Sequence, residues 1–291
     1  MPNVNQVLRS IARDRGVSLE IVQKDYAISY LLAGISQTPG LGEKIVLKGG
    51  TALKKLYYPD YRFSEDLDFS TLELGIIPNG AELIQVAVNR MTGLLLELGP
   101  FEVQVEPLTL RLPHPAQQMA YTVRVRFPDQ RQALCRLKVE ITVDEPVLLP
   151  AMLFPILHGF PEPFNAAIQG YALSEIVAEK LRALLQSREK LASRGWGASR
   201  VCRDYYDLWW ILGRENLTGV PELFARKCAN RQLAFRSTQE LVSPDLIETA
   251  RREWDQQLSQ FLSKAHPVEK VLTEVQALIV TLFHQDDSPS P

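Results

Sequence analysis

The sequence predicts an α+β fold in which a mixed β-sheet core with flanking N-terminal helices is followed by an α-helical C-terminal domain. Apolar residues recur at helical spacing up to residue 36, and between residues 45 and 143 several segments alternate apolar and polar side chains as strands do. After residue 173 the apolar stripes are helical again. Prolines crowd the connection at residues 146–163, so we predict one domain at 1–165 and a second at 166–291.

Composition excludes several classes of protein. The chain has 291 residues, of which 46% are hydrophobic, so it can bury a substantial core. A formal net charge of −2 excludes a globally basic nucleic-acid binder, and any polyanion would have to meet a local basic patch. The 3 cysteines are widely spaced, which is typical of a reducing compartment. We expect a cytoplasmic protein, because the sequence has neither a signal region nor an apolar run of about 18 residues.

The N-terminal helices are predicted at residues 4–36, with Gly16 ending the first and Ser18 capping the second. A further amphipathic helix is predicted at residues 81–98. Strands are predicted at 101–106, 121–127 and 134–143, and the second domain is expected to open with a helix capped by Ser174.

A glycine turn joins the first predicted strand to a helix. The apolar run ending at Leu47 is followed by Lys48, Gly49, Gly50 and Thr51, and then by a helical pattern. Paired glycines let backbone N–H groups approach a phosphate closely, and the helix N-terminus behind them favours negative charge. Thr51 would cap that helix or bond a phosphate oxygen. The alternative is an ordinary strand-to-helix connection, since the P-loop pattern is missing.

An acidic pair follows fifteen residues later. Residues 62–70 alternate as a strand does, which places Asp66 and Asp68 on one face and Leu67 and Phe69 on the other. Two residues along a strand span roughly 6.6 Å, so the two carboxylates repel unless a cation lies between them. Carboxylate oxygens are ligands that Mg²⁺ prefers, and a metal site is one interpretation. A solvated polar strand face is the other.

A third acid lies on the polar face of the strand predicted at 134–143. Glu140 has only apolar residues on the opposite face, which makes it a candidate metal ligand beside the two aspartates. Two-metal catalysis uses bridging carboxylates around ions roughly 4 Å apart, and three acids from adjacent strands can supply them. The alternative is a cross-strand salt bridge, for instance with Arg124 or Arg126.

Two charged positions stand out in the helical region. Lys180 lies inside the apolar stripe of its helix, so it either extends to solvent or serves as a fixed cation for a triphosphate. Asp204 shares a helix face with Asp207 near a helix start. Asp204 either caps that helix or reaches Lys180 or a substrate.

A basic segment lies between these two positions. Trp196, flanked by glycines, interrupts it, and such a loop suits RNA, although an ordinary mobile surface loop is equally consistent. The candidate RNA-binding residues are Arg188, Lys190, Arg194, Arg200 and Arg203.

Four short motifs in this order resemble those of the AbiEii-type nucleotidyltransferase toxins, which include the MenT group and belong to the DNA polymerase β-like superfamily. The first is Lys48-Gly-Gly-Thr-Ala-Leu with Arg62-Phe-Ser-Glu-Asp-Leu-Asp. Glu179-Lys180-Leu-Arg-Ala-Leu resembles the family's lysine motif, and Arg203-Asp204-Tyr-Tyr-Asp207-Leu resembles its terminal aspartate motif. Lys24-Asp25-Tyr26 resembles a feature of its N-terminal helices.

The resemblance implies a nucleotidyltransferase-like sheet and assigns a role to each matching position. One or two Mg²⁺ ions would bind Asp66 and Asp68, and Lys180 would bind the triphosphate of an NTP substrate in a cleft that Asp204 completes. The residues implied to bind the nucleotide are Lys48, Gly49, Gly50, Thr51 and Ser64.

The resemblance also implies a function. Members of this family are toxins of bacterial toxin–antitoxin or phage-defence pairs, opposed by a separately encoded antitoxin. They transfer a nucleotide from an NTP to RNA, notably the 3′ acceptor end of tRNA, which blocks aminoacylation and translation. Two alternatives stay open: the same fold modifying a protein or a small molecule, and a non-enzymatic RNA- or partner-binding module whose acids are structural.

Overall fold

The computed structural model describes residues 3–109, 117–198, 200–262, 264 and 266–285. The chain divides into two compact units. The sheet unit comprises Met1–Tyr171 with Phe261–Ser263, and the helical unit comprises Ala172–Gln260 with Lys264–Pro291. A mixed sheet with helices in the first unit and helices in the second confirm the predicted fold class.

The sheet has seven strands in the described residues, in the order β3-β4-β5-β2-β1-β7-β6. The middle strand, β2, pairs antiparallel with β1 and parallel with β5, so the sheet is mixed. The strands are β1 Ile45–Lys48, β2 Asp66–Thr71, β3 Glu102–Pro107, β4 Gln118–Arg126, β5 Cys135–Thr142, β6 Met152–Pro155 and β7 Ala167–Gly170.

The helices of the sheet unit follow the predicted pattern closely. Gly16 ends the first helix, and the Ser18 hydroxyl accepts a hydrogen bond from the Ile21 amide at 3.4 Å, which confirms both predicted boundaries. The described helices are α1 Val4–Arg15, α2 Leu19–Ser36, α3 Gly49–Ala52 and α4 Gly80–Leu96, and a π-helical turn, Leu53–Tyr57, continues α3.

The core of the sheet unit forms where helices cover the apolar face of the strands. Helix α2 packs against α4 and contacts β5 and β7, which explains why nearly all of its residues are buried. Leu137, Val139 and Ile141 alternate along β5 and are completely buried, as their spacing predicts. Burying such side chains contributes about 1.5–3 kcal/mol each.

Strands β6 and β7 are absent from the sequence-based assignment, which treats residues 146–163 as a loop-rich connection. Each strand has four residues, too few to show an alternating pattern, and β6 ends at Pro155 on the sheet edge. Strand β7 pairs in parallel with β1, with Gly170 beside Leu47. Their formation therefore depends on the neighbouring strand more than on local sequence.

The helical unit contains five α-helices in the described residues. Its first helix begins at Leu173 with Ala172 as its N-cap, so the prediction that Ser174 caps it is wrong; Ala172 is extended and Ser174 already lies in the first turn. The helices are α5 Leu173–Arg194, α6 Val201–Leu212, α7 Val220–Asn230, α8 Pro244–Gln257 and α9 Val268–Gln285, with 3₁₀ turns at Thr238–Glu240 and Ser259–Phe261. In the described part of the chain, no helix is long and apolar enough to cross a bilayer.

Candidate active site

The two predicted acids lie on the central strand of the sheet. Strand β2 begins at Asp66, and Asp66 and Asp68 are half-buried while Leu67 and Phe69 between and after them are completely buried. This confirms the alternation from Asp66 to Phe69, whereas Ser70, which shares the polar face, is also completely buried. The strand does not extend back to residue 62, so Ser64 lies in the irregular segment before it.

Strand register places three charged residues in one row. Lys48 on β1 is the direct partner of Asp68, and Asp68 is in turn the partner of Glu140 on β5. Directly paired residues project from the same face of a sheet, with Cβ atoms roughly 4.5–5.5 Å apart. A cation and two carboxylates from three adjacent strands therefore share the face that also carries Asp66.

Glu140 has a different partner from the one considered above. Its Oε2 lies 2.8 Å from the Nζ of Lys138, two residues earlier on the same strand. Arg124 and Arg126 pair with acids on β3 instead, so the alternative of a cross-strand bridge from Glu140 to either arginine is wrong. No group of three or more His, Cys, Asp or Glu side chains in the described residues is arranged to hold a metal ion. A metal-binding role for Glu140 stays a prediction.

The glycine turn passes close to this face. Gly49 has φ +71°, and a Cβ there would lie 3.2 Å from Oδ2 of Asp68. A Cβ at Gly50 would lie 2.9 Å from Nη2 of Arg62 and 3.2 Å from the Ser64 Oγ. The backbone of the turn therefore runs between Asp68 on one side and Arg62 with Ser64 on the other. The sequence analysis includes Arg62 in a family motif but assigns it no role, because its contact with the turn depends on tertiary packing.

Thr51 joins the glycine turn to the acidic strand. Its hydroxyl donates a hydrogen bond to the backbone carbonyl of Asp66, so the helix start and the strand start are tied together. Lys48 is only 8% exposed, and its Nζ lies 4.0 Å from Oε2 of the buried Glu145 and 5.7 Å from the centroid of the Tyr171 ring. Glu145 is a further acid near the turn that the sequence analysis did not select.

Helix α2 supports both segments of the site. Lys24 Nζ lies 2.6 Å from Oε1 of Glu65, the residue before Asp66. Asp25 is 3% exposed, and its Oδ2 lies 2.8 Å from Nζ of Lys55, which lies in the π-helical turn after the glycines. These ion pairs link helix α2 to the residue before Asp66 and to the turn that follows the glycines. The only sequence signal for them is the resemblance of Lys24-Asp25-Tyr26 to a family motif.

The helical unit brings together the two later predicted residues. Lys180 is 8% exposed, and its Nζ lies 3.2 Å from Oδ1 of Asp204 and also pairs with Asp207. Lys180 therefore does not extend to solvent, and Asp204 reaches Lys180, as one interpretation predicted, instead of capping helix α6. Burial raises the pKa of Asp204, the Lys180 ammonium opposes that shift, and the Asp207 carboxylate adds to it.

The predicted RNA-binding residues form two groups, which differ in whether a described contact or only their exposure is known. Arg188 pairs with Glu240 at 2.7 Å, and Arg203 donates to the Gln257 carbonyl at 3.2 Å. Arg194 and Arg200 are exposed and Lys190 is half-buried. Trp196, between them, is 68% exposed, which is unusual for so large an apolar side chain.

Comparisons with known proteins match the chain to one family profile and to several solved structures. A family profile described as "Nucleotidyl transferase AbiEii toxin, Type IV TA system" matches residues 30–275. Among solved structures, MenT4, nucleotidyltransferase toxin Rv2826c from Mycobacterium tuberculosis H37Rv, is 23% identical with a TM-score of 0.64 over 97% of this chain and 90% of that chain. A putative nucleotidyltransferase from H. pylori is 17% identical with a TM-score of 0.48, over 94% of this chain and 100% of that chain. A search of curated proteins gives no match.

Proposed function

The chain belongs to the AbiEii family of nucleotidyltransferase toxins of type IV toxin–antitoxin systems, and we propose that it transfers a nucleoside monophosphate from an NTP to RNA. The acceptor we propose is the 3′ end of tRNA, whose modification blocks aminoacylation and translation. The observation that carries the proposal is the pair of half-buried carboxylates, Asp66 and Asp68, on the central strand beside the Gly49–Gly50 turn. A cognate antitoxin opposes toxins of this family.

Mg²⁺ fits the donor chemistry of this face. Asp66 and Asp68 would hold the ion, and Glu140, paired in register with Asp68, would join them once Lys138 releases its carboxylate. One ion or two would neutralise charge on the α-phosphate and on the leaving pyrophosphate. All three groups supply the oxygen ligands that Mg²⁺ requires.

The glycine turn would bind the triphosphate. The amides of Gly49 and Gly50 lie at the start of a helix, where backbone N–H groups favour phosphate oxygens, and Thr51, Lys48 and Ser64 surround them. Held there, the α-phosphorus would be attacked by a ribose 3′-oxygen of the RNA. The bond to the bridging oxygen of the β-phosphate would break, pyrophosphate would leave, and the proton of the attacking hydroxyl would pass to solvent.

Lys180 and Asp204 are proposed to act on the same reaction. Lys180 would supply a cation to the triphosphate and Asp204 would complete the active site, as their positions in the family motifs imply. The supporting observation is the ion-pair geometry: Asp207 is fully buried and pairs with Lys180 alongside Asp204. A preorganised cation costs less to align when charge develops in the transition state.

The basic loop is proposed to bind the RNA. Exposed Arg194 and Arg200 would contact phosphates, with Lys190 beside them, and the exposed Trp196 ring offers a surface on which a base could stack. Arg188 and Arg203 would contribute after exchanging their present partners. Such contacts release counterions, so binding should weaken steeply as salt rises.

Labelled transfer tests the proposal directly. The protein is incubated with each α-labelled NTP, Mg²⁺ and total tRNA, and RNA labelling is compared for wild type, Asp66→Asn and Asp68→Asn. We expect each substitution to reduce transfer on the order of 100-fold or more while leaving the melting temperature close to that of wild type. Asp14→Asn, at an exposed position on α1, is the matched control and should transfer at the wild-type rate.

Other outcomes would point to the alternatives. Label on a protein band or on a small molecule would change the acceptor and keep the chemistry. RNA binding that survives EDTA and Asp66→Asn, with no label transferred from any NTP, would indicate a non-enzymatic binding module. Sequencing the 3′ ends of RNA from cells that express the protein identifies the acceptor and the added nucleotide.

A further inference from the structure

A cavity lies within the sheet unit, and none of the residues assigned to the nucleotide lines it. Its volume is about 150 Å³, and its walls come from α1, α2, the π-helical turn and residues 59–63 and 157–160. Neither the glycine turn nor the carboxylates of β2 line it. The cavity lining comprises Ile11, Arg15, Asp25, Lys54, Lys55, Pro59, Phe63, Leu157, His158, Gly159 and Phe160.

Two of the three cations that line the cavity are neutralised by neighbouring acids. Lys55 is 1% exposed and pairs with Asp25 at 2.8 Å, and Arg15 pairs with the exposed Asp60 at 3.2 Å. Each of these pairs carries no net charge. The balance of charge at the cavity therefore depends on the third cation, Lys54.

Lys54 has no such partner. Its Nζ donates to the Pro59 carbonyl at 2.5 Å and lies 5.0 Å from the centroid of the Phe63 ring, and no carboxylate of the described residues comes within salt-bridge distance. The side chain is only 8% exposed, and burial lowers the pKa of Lys54 to about 8. Asp25 and Asp60 attract this ammonium from beyond salt-bridge distance while Lys55 and Arg15 repel it, and an anion in the cavity would offset the cost of burying it.

His158 adds a second polar group to the same lining. Its Nε2 lies 3.0 Å from Oε1 of Glu162, and its buried Nδ1 has no hydrogen-bond partner among the described residues. A protonated ring would need an acceptor at Nδ1, and an oxyanion is one. The lining therefore combines one buried cation without a salt-bridge partner and two polar atoms without a hydrogen-bond partner among the described residues, Nδ1 of His158 and Oδ1 of Asp25.

The cavity has room for a small ligand. A water-sized group needs about 10–15 Å³ of such space, so a cavity of about 150 Å³ admits several. A tetrahedral oxyanion has five heavy atoms and four acceptor oxygens and fits within it.

We propose that this cavity is a binding site for a small tetrahedral oxyanion of the size of inorganic phosphate, with Lys54 as its principal counter-charge. The site is separate from the proposed nucleotide site but shares a chain segment with it, because the π-helical turn that carries Lys54 continues the helix that begins at Gly49. The proposal does not depend on which acceptor the enzyme uses.

Thermal unfolding of the full chain in phosphate and in chloride, at equal pH and ionic strength, tests the proposal. For wild type we expect the melting temperature to rise with phosphate, by roughly 5 °C near 100 times the dissociation constant. Lys54→Met should abolish this increment. Gly159→Leu should reduce it while keeping every charge, because Gly159 lines the cavity and a Cβ there meets nothing within 4 Å, so a longer side chain is tolerated and would narrow the cavity.

The controls separate this site from others. Lys44→Met removes an exposed lysine and should keep the full increment. Phosphate bound at the Gly49–Gly50 turn would also raise the melting temperature. Gly159→Leu does not alter that turn, so this part of the rise would remain in the variant. Only the part of the rise that the variant loses is assigned to the cavity. Equal melting temperatures in phosphate and chloride, or a full increment in Gly159→Leu, would overturn the proposal.

Discussion

The backbone at Gly49 has little room for a side chain, because its φ of +71° and its approach to Asp68 act together. An L-residue in this left-handed region costs about 1–2 kcal/mol, and its Cβ would also press on the carboxylate. At Gly50 the conflict is with Nη2 of Arg62, the far end of a flexible side chain, so that position can adjust more easily. The two glycines therefore differ in the reason for which they are needed.

This difference predicts the behaviour of three alanine variants. Gly49→Ala should lower the free energy of unfolding by about 1–2 kcal/mol and reduce NTP affinity. Gly50→Ala should reduce NTP affinity with a smaller loss of stability. Gly93→Ala, inside α4 with open space around its Cβ, is the control and should stabilise by about 0.5–1 kcal/mol. Urea denaturation and nucleotide titration measure both quantities, and equal stability of the first and third variants would contradict this account.

At the scale of elements, the local sequence pattern predicts the type and the bounds of long helices and strands but not of short ones. The two N-terminal helices, α4 and strand β5 are long and periodic, so the sequence predicts them closely. Strands β6 and β7 need a neighbour to form. The same limit applies to the site: Asp66, Asp68 and the glycine turn carry local signals, whereas the contact of Arg62 with the turn arises from tertiary packing.

The ion pair between Lys24 of helix α2 and Glu65, the residue before Asp66, predicts a measurable coupling energy. In a double-mutant cycle of Lys24→Met and Glu65→Gln we expect an interaction energy of about 1 kcal/mol in stability, because both side chains are largely shielded from solvent. Lys24 also pairs with Glu20 at 2.9 Å, but the Glu20 side chain is 66% exposed. The control cycle of Lys24→Met with Glu20→Gln should therefore give a coupling energy close to zero. A larger coupling energy for Lys24 with Glu20 than for Lys24 with Glu65 would contradict this assignment.

The loop after β6 predicts a response to acid. Burial opposes ionisation of Glu162, but hydrogen bonds from His158 and from the backbone lower its pKa to about 2. An unfolded glutamate titrates near about 4.3, so the stabilising contribution is complete above that pH and is lost as the pH falls towards 2. Glu162→Gln should flatten the dependence of unfolding free energy on pH in this window. The exposed Glu73→Gln is the control, and an unchanged slope in Glu162→Gln would refute the assignment.

At the scale of the whole molecule, the order of the sheet protects the acidic strand. Strand β2 has three strands on either side, whereas β3 and β6 form the edges. The half-buried carboxylates thus project from the most enclosed strand of the sheet. Rigidity at this position favours the precise geometry that the proposed chemistry requires.

Hydrogen exchange should report this difference. The amides of Leu67 and Phe69 in β2 should exchange only through global unfolding, roughly 100-fold or more slowly than those of Leu153 and Phe154 in β6, where local fraying is sufficient. Peptide-resolved mass spectrometry after deuterium labelling measures both segments in one sample. Comparable exchange rates in β2 and β6 would contradict the expectation that local fraying is confined to the edge of the sheet.

The row formed by Lys48, Asp68 and Glu140 limits where the coding sequence can gain or lose single codons. Because side chains alternate along a strand, inserting or deleting one codon within residues 66–71 would move the residues on one side of the change to the opposite face of the sheet. Carboxylates would then lose their partners in the row, or Leu67 or Phe69 would leave the core. Codons added to the turn at residues 72–79 would leave that parity intact. Insertions and deletions should therefore be selected against in the acidic strand even where each individual residue type could be replaced.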